Sequence, residues 1–400
     1  MGKPKIRFKG YTEDWEQREL GKIFKEYSEK NHIELPALTI IQGAGTVKRE
    51  DSDRNLMYDE SNLSNYKMVR KDDFIVHLRS FEGGLEKSTL DGIISPAYHT
   101  FHSDEADSRF YYPYFRSYEF IKHKLVPHVY GIRDGRSIDI DGMKTIEIPY
   151  ASIEEQRKIG DYLEALDHLI TLHQRKCEET KKLKKYMLQK MFPQNGQTVP
   201  EIRFAGFTED WEQRKLGDIY GSIGNAFVGT ATPYYAEQGH FYLESNNVKD
   251  GQINHNSEIF INDEFYEKQK DKWLHTGDMV MVQSGHVGHA AVIPEELDNT
   301  AAHALIMFRN PKGEIEPYFL NYEYQTDKAK KKIENITTGN TIKHILASDM
   351  QEFVVDVPKY EEQKVIADYF CNIDHLITLH QKKCEELQKI KKVMLQNMFV

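Results

Sequence analysis

Two long stretches of this 400-residue chain carry apolar residues at alternating spacings of four and three. They cover residues 154–192 and 361–399, and the 3.5-residue period predicts two long helices that pack through a coiled-coil seam. The predicted seam residues are Ile159, Leu163, Leu166, Ile170 and His173 in the first helix, and Ile366, Phe370, Ile373, Ile377 and His380 in the second. A metal-binding or catalytic role of the two histidines stays open, but their position on the seam favours a structural role in packing.

The remaining chain has shorter periodic runs. Alternation of apolar and polar residues predicts strands at 73–78, 145–150, 277–283 and 353–358. Helices are predicted at 113–125 and 317–336, and each opens with Pro-Tyr-Phe, since proline is favoured in a first helical turn. The pattern therefore predicts two bodies of mixed α/β structure, at about 22–150 and 218–358.

The two long stretches are copies of one another. They are identical at 26 of 39 positions, and DHLITLHQ recurs unchanged at 167–174 and 374–381. A second repeat, identical at 13 of 16 positions, joins residues 6–21 to 202–217. Each half thus opens with the same leader and closes with the same helix, whereas the bodies between them differ. This arrangement indicates a duplicated frame that carries two different globular bodies.

Composition limits the class of protein. The mean hydropathy is −0.65, and no apolar run approaches the 18 residues of a membrane helix. The first residues lack the apolar core of a secretory signal, and three cysteines without a CxxC pair predict neither disulfides nor a zinc site. We therefore expect a cytoplasmic protein without a metal.

The net charge of −10 does not by itself suggest a nucleic-acid partner. Residues 193–360 hold most of the acidity, with 15 basic and 25 acidic side chains. A local basic patch on an acidic domain can still bind phosphate, so the charge leaves the partner open.

Motifs of common catalytic sites are missing from the sequence. It has no Gly-x4-Gly-Lys-Ser/Thr, Gly-x-Gly-x-x-Gly, HExxH or Gly-x-Ser-x-Gly, and no amino-methyltransferase box. The prediction is a protein without catalytic residues and without a cofactor of its own.

Four glycine-containing loops carry side chains suited to base edges. They cover residues 77–88, 131–137, 283–289 and 337–344. Arginine pairs with guanine and Asn or Gln with adenine, while glycine lets the backbone approach closely. Ordinary hairpin loops are the alternative. The predicted DNA contacts are Arg79, Ser80, Phe81, Gly83, Gly84, Lys87, Ser88, Arg133, Arg136, Ser137, Gln283, Ser284, His286, His289, Asn340, Thr341, Lys343 and His344.

The tandem order resembles one known family over essentially the whole chain. A TEDWEQR-x-LG leader, a variable body and an EEQ…DHLITLHQ…MLQ-x-MF helix, all occurring twice, are similar to the specificity subunits of type I restriction–modification systems. LRSFEGGLEKS and GDMVMVQSGHVG also resemble motifs of target recognition domains.

The resemblance implies an α+β fold with two mixed α/β target recognition domains, separated by two long antiparallel coiled-coil helices in a pseudo-two-fold repeat. It assigns residues 1–152 and 202–359 to these domains, 153–192 and 360–400 to spacer helices, and 193–201 to a linker. The implied function is recognition of an asymmetric bipartite target in double-stranded DNA.

The implied partners are two modification (methyltransferase) subunits that carry S-adenosylmethionine and restriction/translocase subunits that use ATP. A coiled-coil scaffold without DNA specificity is the main alternative, and a free-standing DNA-modifying enzyme is a more distant one.

Overall fold

The computed structural model describes residues 4–52, 60–77, 84–131, 137–194, 196–339 and 343–399. The chain forms two compact units. The first unit combines residues 1–174 with 382–400, and the second holds 175–381. Each unit therefore contains one leader, one body and a segment of both long helices.

The first unit takes its body from the amino-terminal half of the chain. Its strands are β1 Glu16–Glu19, β2 Lys25–Tyr27, β3 Leu38–Ile41, β4 Gly45–Lys48, β5 Lys67–Val69, β6 Phe74–His77, β7 Glu86–Lys87, β8 Gly92–Ile94, β9 Tyr98–His102, β10 Val129–Tyr130, β11 Ser137–Ile138 and β12 Glu147–Tyr150. Its α-helices are α1 Leu20–Ile23, α2 Ser108–Phe115, α3 Ile140–Lys144 and the start of α4 Ile153–Lys190. A π-helix covers Glu119–Leu125.

The second unit repeats this order with its own body. Its strands are β13 Glu212–Lys215, β14 Tyr220–Asn225, β15 Tyr235–Ala236, β16 His240–Leu243, β17 Val248–Lys249, β18 Gln252–Ile253, β19 Phe260–Ile261, β20 Met279–Val282, β21 Ala290–Val292, β22 Ala301–Ala302, β23 Leu305–Pro311 and β24 Val354–Val357. Its α-helices are α5 Leu216–Ile219, α6 Asp263–Glu267, α7 Pro317–Glu323, α8 Asp327–Ile336, α9 Ala347–Gln351 and the start of α10 Tyr360–Met398.

A four-stranded antiparallel sheet forms the centre of each body. Its order is β2-β9-β6-β7 in the first unit and β14-β23-β20-β21 in the second. The side chains of β6 alternate between two hydrophobic clusters, as do those of β20. Both faces of each sheet are therefore covered, which explains why these strands are apolar at nearly every position.

The second body also carries a sheet of its own, with the order β15-β19-β16-β22. Its β16 and β22 run parallel. The bodies thus share a central sheet and differ in what is attached to it.

The leader is fixed to the long helix by the same residues in both units. Arg7 donates two hydrogen bonds to the buried Glu155 at 2.6 and 2.7 Å, and Arg203 donates two to the buried Glu362, both at 2.7 Å. β1 pairs with β12, and β13 pairs with β24, directly before each long helix. The repeated leader and EEQ motif therefore meet in a buried ion pair.

The glutamine of each EEQ motif connects the helix to the body. The side chain of Gln156 accepts a hydrogen bond from the Asp107 backbone N–H at 3.0 Å, and that of Gln363 accepts one from the Glu316 N–H at 2.9 Å. Asp107 caps α2 and Glu316 caps α7. The two caps are therefore equivalent residues, which fixes the alignment of the two helices that follow.

One predicted equivalence is wrong. The sequence suggested that Pro113 and Pro317 both begin helices, but only Pro317 lies in a first turn, whereas Pro113 lies inside α2. The side chain of Asp107 accepts a hydrogen bond from the Arg109 N–H and starts α2 five residues before Pro113. The helix cap, rather than the Pro-Tyr-Phe match, sets the register.

The predicted fold class is confirmed. The chain has mixed helix and sheet in both bodies, and its two longest helices hold 38 and 39 residues.

Candidate nucleic-acid interface

The seam predicted for the two long helices is buried within each unit. Ile159, Leu163, Leu166 and Ile170 of α4 share one hydrophobic cluster with Cys384 and Leu387 of α10. In the second unit, Ile366, Phe370, Ile373 and Ile377 of α10 share a cluster with Cys177 and Leu188 of α4. His173 and His380 are half-buried. Apolar packing thus joins the two helices in both units.

The same ion pair occurs once in each unit. Lys391 pairs with Asp167 in the first unit, and Lys184 pairs with Asp374 at 2.7 Å in the second. Both lysines and both aspartates occupy repeat positions 207 residues apart. In both units a residue early in one helix meets a residue late in the other, so the helices are antiparallel.

Each unit has a cleft beside this ion pair. We name them the first cleft, of about 1210 Å³, and the second cleft, of about 790 Å³, after their units. The same repeat positions form the helix wall of both. They are Asp167, Ile170, Thr171, Gln388, Lys391, Lys392, Leu395 and Gln396 in the first cleft, and Asp374, Ile377, Thr378, Lys181, Lys184, Lys185, Leu188 and Gln189 in the second.

The body wall of the first cleft combines two chain segments with the end of α2. The turn between β3 and β4 contributes Gly43–Gly45, β7 and the segment after it contribute Lys87 and Thr89, and α2 with its C-cap contributes Tyr112 and Arg116. Glu86, which is mostly buried, pairs with Arg116 and accepts a hydrogen bond from the Tyr112 hydroxyl at 2.8 Å. Burial, together with the negative charge of Glu86, raises the pKa of Tyr112, so this hydroxyl stays protonated and donates.

The structure places the predicted DNA contacts of the first body in different environments. Lys87 lines the first cleft, where it pairs with Asp72 at 2.7 Å, and Gly84 lies against the backbone of Phe115. Ser137 is half-buried in β11. The six others, Arg79, Ser80, Phe81, Gly83, Arg133 and Arg136, lie outside the described residues.

Ser88 is not placed to contact DNA. Its side chain is completely buried, and its hydroxyl donates to the Leu90 carbonyl at 2.8 Å. Its position two residues after the start of β7 turns it inward, so the predicted contact is wrong and the residue supports the hairpin.

The second body brings its two predicted loops together. Gly285 donates its N–H to the Lys343 carbonyl at 3.1 Å, and Ile345 donates to the Gln283 carbonyl at 3.0 Å. Ser284 and His344 form a β-bridge between the loops. His286, His289 and Lys343 line the second cleft, whereas Asn340 and Thr341 lie outside the described residues.

His289 is held as a neutral side chain. Burial lowers its pKa, the charge of Asp250 opposes this, and the charges of His286 and Lys330 act in the same direction as burial. Its Nδ1 accepts a hydrogen bond from the Asp250 N–H at 3.1 Å. The proton of the neutral ring therefore belongs to Nε2, which makes His289 a hydrogen-bond donor at neutral pH.

The clefts also contain cations that the loop analysis missed. Arg116 caps the end of α2 and Lys330 lies in α8, and no glycine loop marks either residue. Lys185 and Lys392 are exposed repeat equivalents, and neither forms an ion pair within the part of the chain that the structure describes. The 207-residue spacing was the sequence signal that would have identified Lys392 together with Lys185.

No helix among the described residues has the length and hydrophobicity that crossing a lipid bilayer requires. Their His, Cys, Asp and Glu side chains form no group of three or more arranged to hold a metal ion.

Comparison with known proteins gives a consistent result. Residues 208–389 match the family model of the type I restriction modification DNA specificity domain. The specificity subunit of the type I restriction enzyme MjaVIII from Methanocaldococcus jannaschii is 25% identical over 265 residues, which cover 64% of this chain and 61% of that protein. A second specificity subunit of that organism, assigned to the MjaX enzyme, is 27% identical over 262 residues, which cover 64% of this chain and 59% of that protein.

The chain thus spans about three fifths of the length of these curated relatives. A crystal structure of a type I restriction–modification S subunit from M. genitalium shares the fold over the whole chain, with a TM-score of 0.63 and 15% identity, covering 100% of this chain and 99% of that one. The family match and these relatives confirm the resemblance seen in the repeated leader and helix, so the chain is similar to type I restriction–modification specificity subunits.

Proposed function

We propose that this chain is a non-catalytic DNA-recognition subunit that reads an asymmetric bipartite sequence in double-stranded DNA. One observation carries the proposal. In each unit, loops of the body face a lysine-bearing wall of the long helices across a cleft, and the helix wall uses the same repeat positions both times. A duplicated wall with different body loops suits a protein that holds one ligand in two places and reads it differently in each.

Charge supports DNA as the ligand, although the second body is acidic overall. Lys181, Lys184, Lys185, Lys330 and Lys343 line the second cleft. Its acids are Asp250, Asp327, Glu334 and Asp374, of which Asp374 pairs with Lys184 and Glu334 with Lys343. A local concentration of lysines binds phosphate whatever the net charge of the domain. Lys185 and Lys392 are the lysines that we assign to phosphate contacts.

The two bodies would read different half-sites. His286, His289 and Lys343 face the second cleft, whereas Lys87 and Arg116 face the first. We keep Gln283, Ser284 and His344 as proposed contacts beside the second cleft, and the predicted residues outside the described ranges as proposed contacts of the loops that hold them.

The division of the chain follows from this function. Residues 1–152 and 202–359 would be the two target recognition domains, with 153–192 and 360–400 as spacer helices and 193–201 as the linker. The helices would set the number of unread base pairs between the half-sites. We also propose the cytoplasm as the location, where the DNA target is available.

The methyl transfer and cleavage reactions would belong to partner subunits. We propose modification subunits with S-adenosylmethionine and restriction/translocase subunits with ATP. Exposed apolar side chains on the long helices support docking of a partner. Leu169 and Leu376 are repeat equivalents, 40% and 45% exposed, and Tyr186 and Val393 are equivalents, 52% and 48% exposed. Identical docking positions would let each unit bind one copy of the same subunit.

Exchange of one body tests the reading of two half-sites. Residues 22–150 are replaced with the body of a relative, and adenine methylation is mapped across the genome of the host cell. We expect one half of the methylated sequence to change and the other half to stay. A change in both halves would contradict modular reading, and a wild-type complex without sequence preference would favour the scaffold alternative.

The phosphate assignment has a matched control. Lys392→Met and Lys185→Met should each weaken DNA binding and reduce the slope of log K against log salt by about 1. Lys389→Met and Lys182→Met make the same change at exposed positions outside the clefts. Equal slopes for all four variants and the wild type would remove the clefts from the DNA path.

The spacer role can be tested separately. Insertion of one heptad into each long helix, at equivalent positions, keeps the apolar seam in phase. We expect the methylated sequence to keep both half-sites and gain unread base pairs between them. An unchanged gap in the methylation map would show that the helices do not set it.

A further inference from the structure

A hairpin turn projects into the body wall of each cleft, and these turns belong to none of the four glycine loops. In the first unit it joins β3 to β4 and contains Gln42, Gly43 and Ala44, all exposed. In the second unit it joins β17 to β18 and contains Asp250 and Gly251. Gly43–Gly45 line the first cleft, and Asp250–Gln252 line the second.

The first turn has one defined conformation. Ala44 donates its N–H to the Ile41 carbonyl at 3.0 Å, and Gly43 has φ +86°. A four-residue turn with positive φ at its third residue requires glycine there and leaves the second residue, Gln42, at the tip. The strand after the turn is anchored, since Thr46 hydrogen-bonds the Thr89 N–H at 3.0 Å.

The second turn is the tighter of the two. Lys249 pairs with Gln252, so the loop has two residues, and both have positive φ, +53° at Asp250 and +85° at Gly251. Asp-Gly is the sequence typical of such a hairpin. Lys249 and Gln252 are both exposed and flank the tip.

Equivalent positions of the body helices hold the two turns. Counting from the caps Asp107 and Glu316, Tyr112 corresponds to Asn321, and Arg116 corresponds to Gln325. Asn321 donates to the Gly251 carbonyl at 2.8 Å. On the other side, Glu86 accepts the Gly43 N–H at 2.8 Å while it binds Tyr112 and Arg116.

Both glycines have positive φ, and each lies close to a side chain of the body. A Cβ at Gly43 would lie 3.0 Å from Arg116 Nη2, and one at Gly251 would lie 2.3 Å from Gln325 Nε2. Each glycine is therefore pressed against the side chain at the equivalent helix position. Such turns recur in both bodies, with Gln42 at the tip of the first and Gln252 beside the tip of the second.

We propose that the turns around Gly43 and Gly251 are base-reading tips of the two bodies, which present Gln42 and Gln252 to base edges of duplex DNA. This inference rests on the proposed function. A glutamine amide can both donate and accept, which matches the edge of adenine in the major groove. A small turn that hydrogen bonds hold beside a lysine-bearing wall suits entry into a groove whose phosphates the lysines bind. Glu86 and Asn321 act as positioning residues that hold the tips.

The experiment uses the complex purified from its own cells through a tag on this chain. The complex selects duplexes from a randomised library, and affinity for the selected target is then measured. We expect Gln42→Ala to weaken binding roughly 10- to 100-fold and to flatten the preference at one or two base pairs of one half-site. Gln252→Ala should do the same in the other half-site.

Matched controls separate reading from general damage. Gln17→Ala and Gln238→Ala make the same change at exposed positions outside both clefts, and should leave the selected sequence and the affinity unchanged. Glu86→Gln weakens the interactions of Glu86 with Gly43 and Arg116 and leaves Gln42 unchanged. It should reduce the sequence preference at the same base pairs as Gln42→Ala. Thermal unfolding of all variants shows whether the fold is kept.

The outcomes distinguish this inference from the function beneath it. If the wild-type complex selects a sequence and both tip variants select it with the same affinity, the turns do not read bases. If the wild type selects no sequence, the recognition function itself is wrong. Loss of preference in both half-sites from Gln42→Ala alone would also contradict the assignment of one tip to each half-site.

Discussion

The two units differ least where the leader meets the long helix and most at the body wall of the cleft. The same ion pair joins the leader to the long helix in both units. An arginine, Arg7 or Arg203, donates to a buried glutamate, Glu155 or Glu362. The cleft walls place Tyr112 and Arg116 in one unit where the other has Asn321 and Gln325. The duplicated frame keeps the same residues in both units, whereas the body residues that face the cleft differ.

Equivalent residues of the repeat do not form the same hydrogen bonds in the two units. Trp15 donates its indole N–H to Glu155 at 3.0 Å, whereas the buried Trp211 N–H has no hydrogen-bond partner among the described residues. α7 also carries the buried Glu323 where α2 has Tyr114. The same repeat thus sits in two environments, and the energetic differences between them can be measured.

The largest expected effect comes from the buried carboxylates that the units share. Glu155→Gln leaves the guanidinium of Arg7 without its charge partner, which should cost about 3 to 5 kcal/mol. Glu362→Gln should cost a similar amount through Arg203. Hydrogen–deuterium exchange, followed separately in residues 4–52 and 196–339, should show each loss mainly in its own unit.

A surface pair provides the control. Glu16 and Arg18 pair on exposed β1, so Glu16→Gln should change stability by about 0 to 1 kcal/mol. If Glu155→Gln were as mild as this control, the buried ion pair would not be what holds the leader to the helix.

The leaders and the long helices were predictable from the sequence because each of them occurs twice. A 3.5-residue apolar period and two near-identical copies specify two long helices, and residues such as Ile159 and Ile366 occupy the buried seam that the period requires. The central strands β6 and β20 likewise lie within the strands predicted at 73–78 and 277–283. Local pattern and global packing agree in these elements.

The cleft was only partly predictable because contacts between distant segments build it. Nothing in the local sequence joins Gly43 to Glu86 or Gly251 to Asn321, and Arg116 looks like any other helical arginine. Ser88 shows the opposite failure. Its loop has the composition of a binding loop, but the strand pairing turns the hydroxyl inward. In both cases the contacts depend on how distant segments pair, and the periodicity of the sequence does not specify that pairing.

A pH difference between the units is the second prediction. Burial raises the pKa of Glu323 to about 8. The hydrogen bond that it accepts from the Asp356 N–H opposes this rise, the charge of the Asp356 carboxylate adds to it, and Lys332 and Lys328 oppose it. A carboxyl whose pKa is higher in the folded chain stabilises it fully below the ordinary value of 4.5, and this contribution is lost as pH rises to about 8. The loss approaches about 1.4 kcal/mol per pH unit.

Exchange between pH 5 and pH 9 should therefore loosen the second unit more than the first, after correction for intrinsic exchange rates. Glu323→Gln removes the titrating group and keeps the shape, so it should abolish the difference. A pH dependence that survives in Glu323→Gln would assign it to another group.

The tryptophans offer a smaller and cleaner comparison. Trp15→Phe and Trp211→Phe remove similar apolar area, since both side chains are buried. Trp15→Phe also removes a hydrogen bond to an ionised carboxylate, which should make it more costly by about 1.5 to 3 kcal/mol. Chemical denaturation of both variants measures this difference, and equal losses would mean that the indole N–H of Trp15 contributes nothing.

The smallest expected effect separates the two interhelical ion pairs. Lys184 and Asp374 are 12% and 14% exposed, and Asp374 also accepts a hydrogen bond from Tyr322 at 2.9 Å. Lys391 and Asp167 are 27% and 53% exposed. Solvent screens the second pair, so Lys391→Met should cost about 0 to 1 kcal/mol, whereas Lys184→Met should cost about 1 to 2 kcal/mol because it leaves a half-enclosed carboxylate without its cation. The stability difference should shrink when the two aspartates are also changed to asparagine, since the double variants leave no stranded charge. A larger loss of stability in Lys391→Met than in Lys184→Met would show that burial does not determine how much each ion pair contributes.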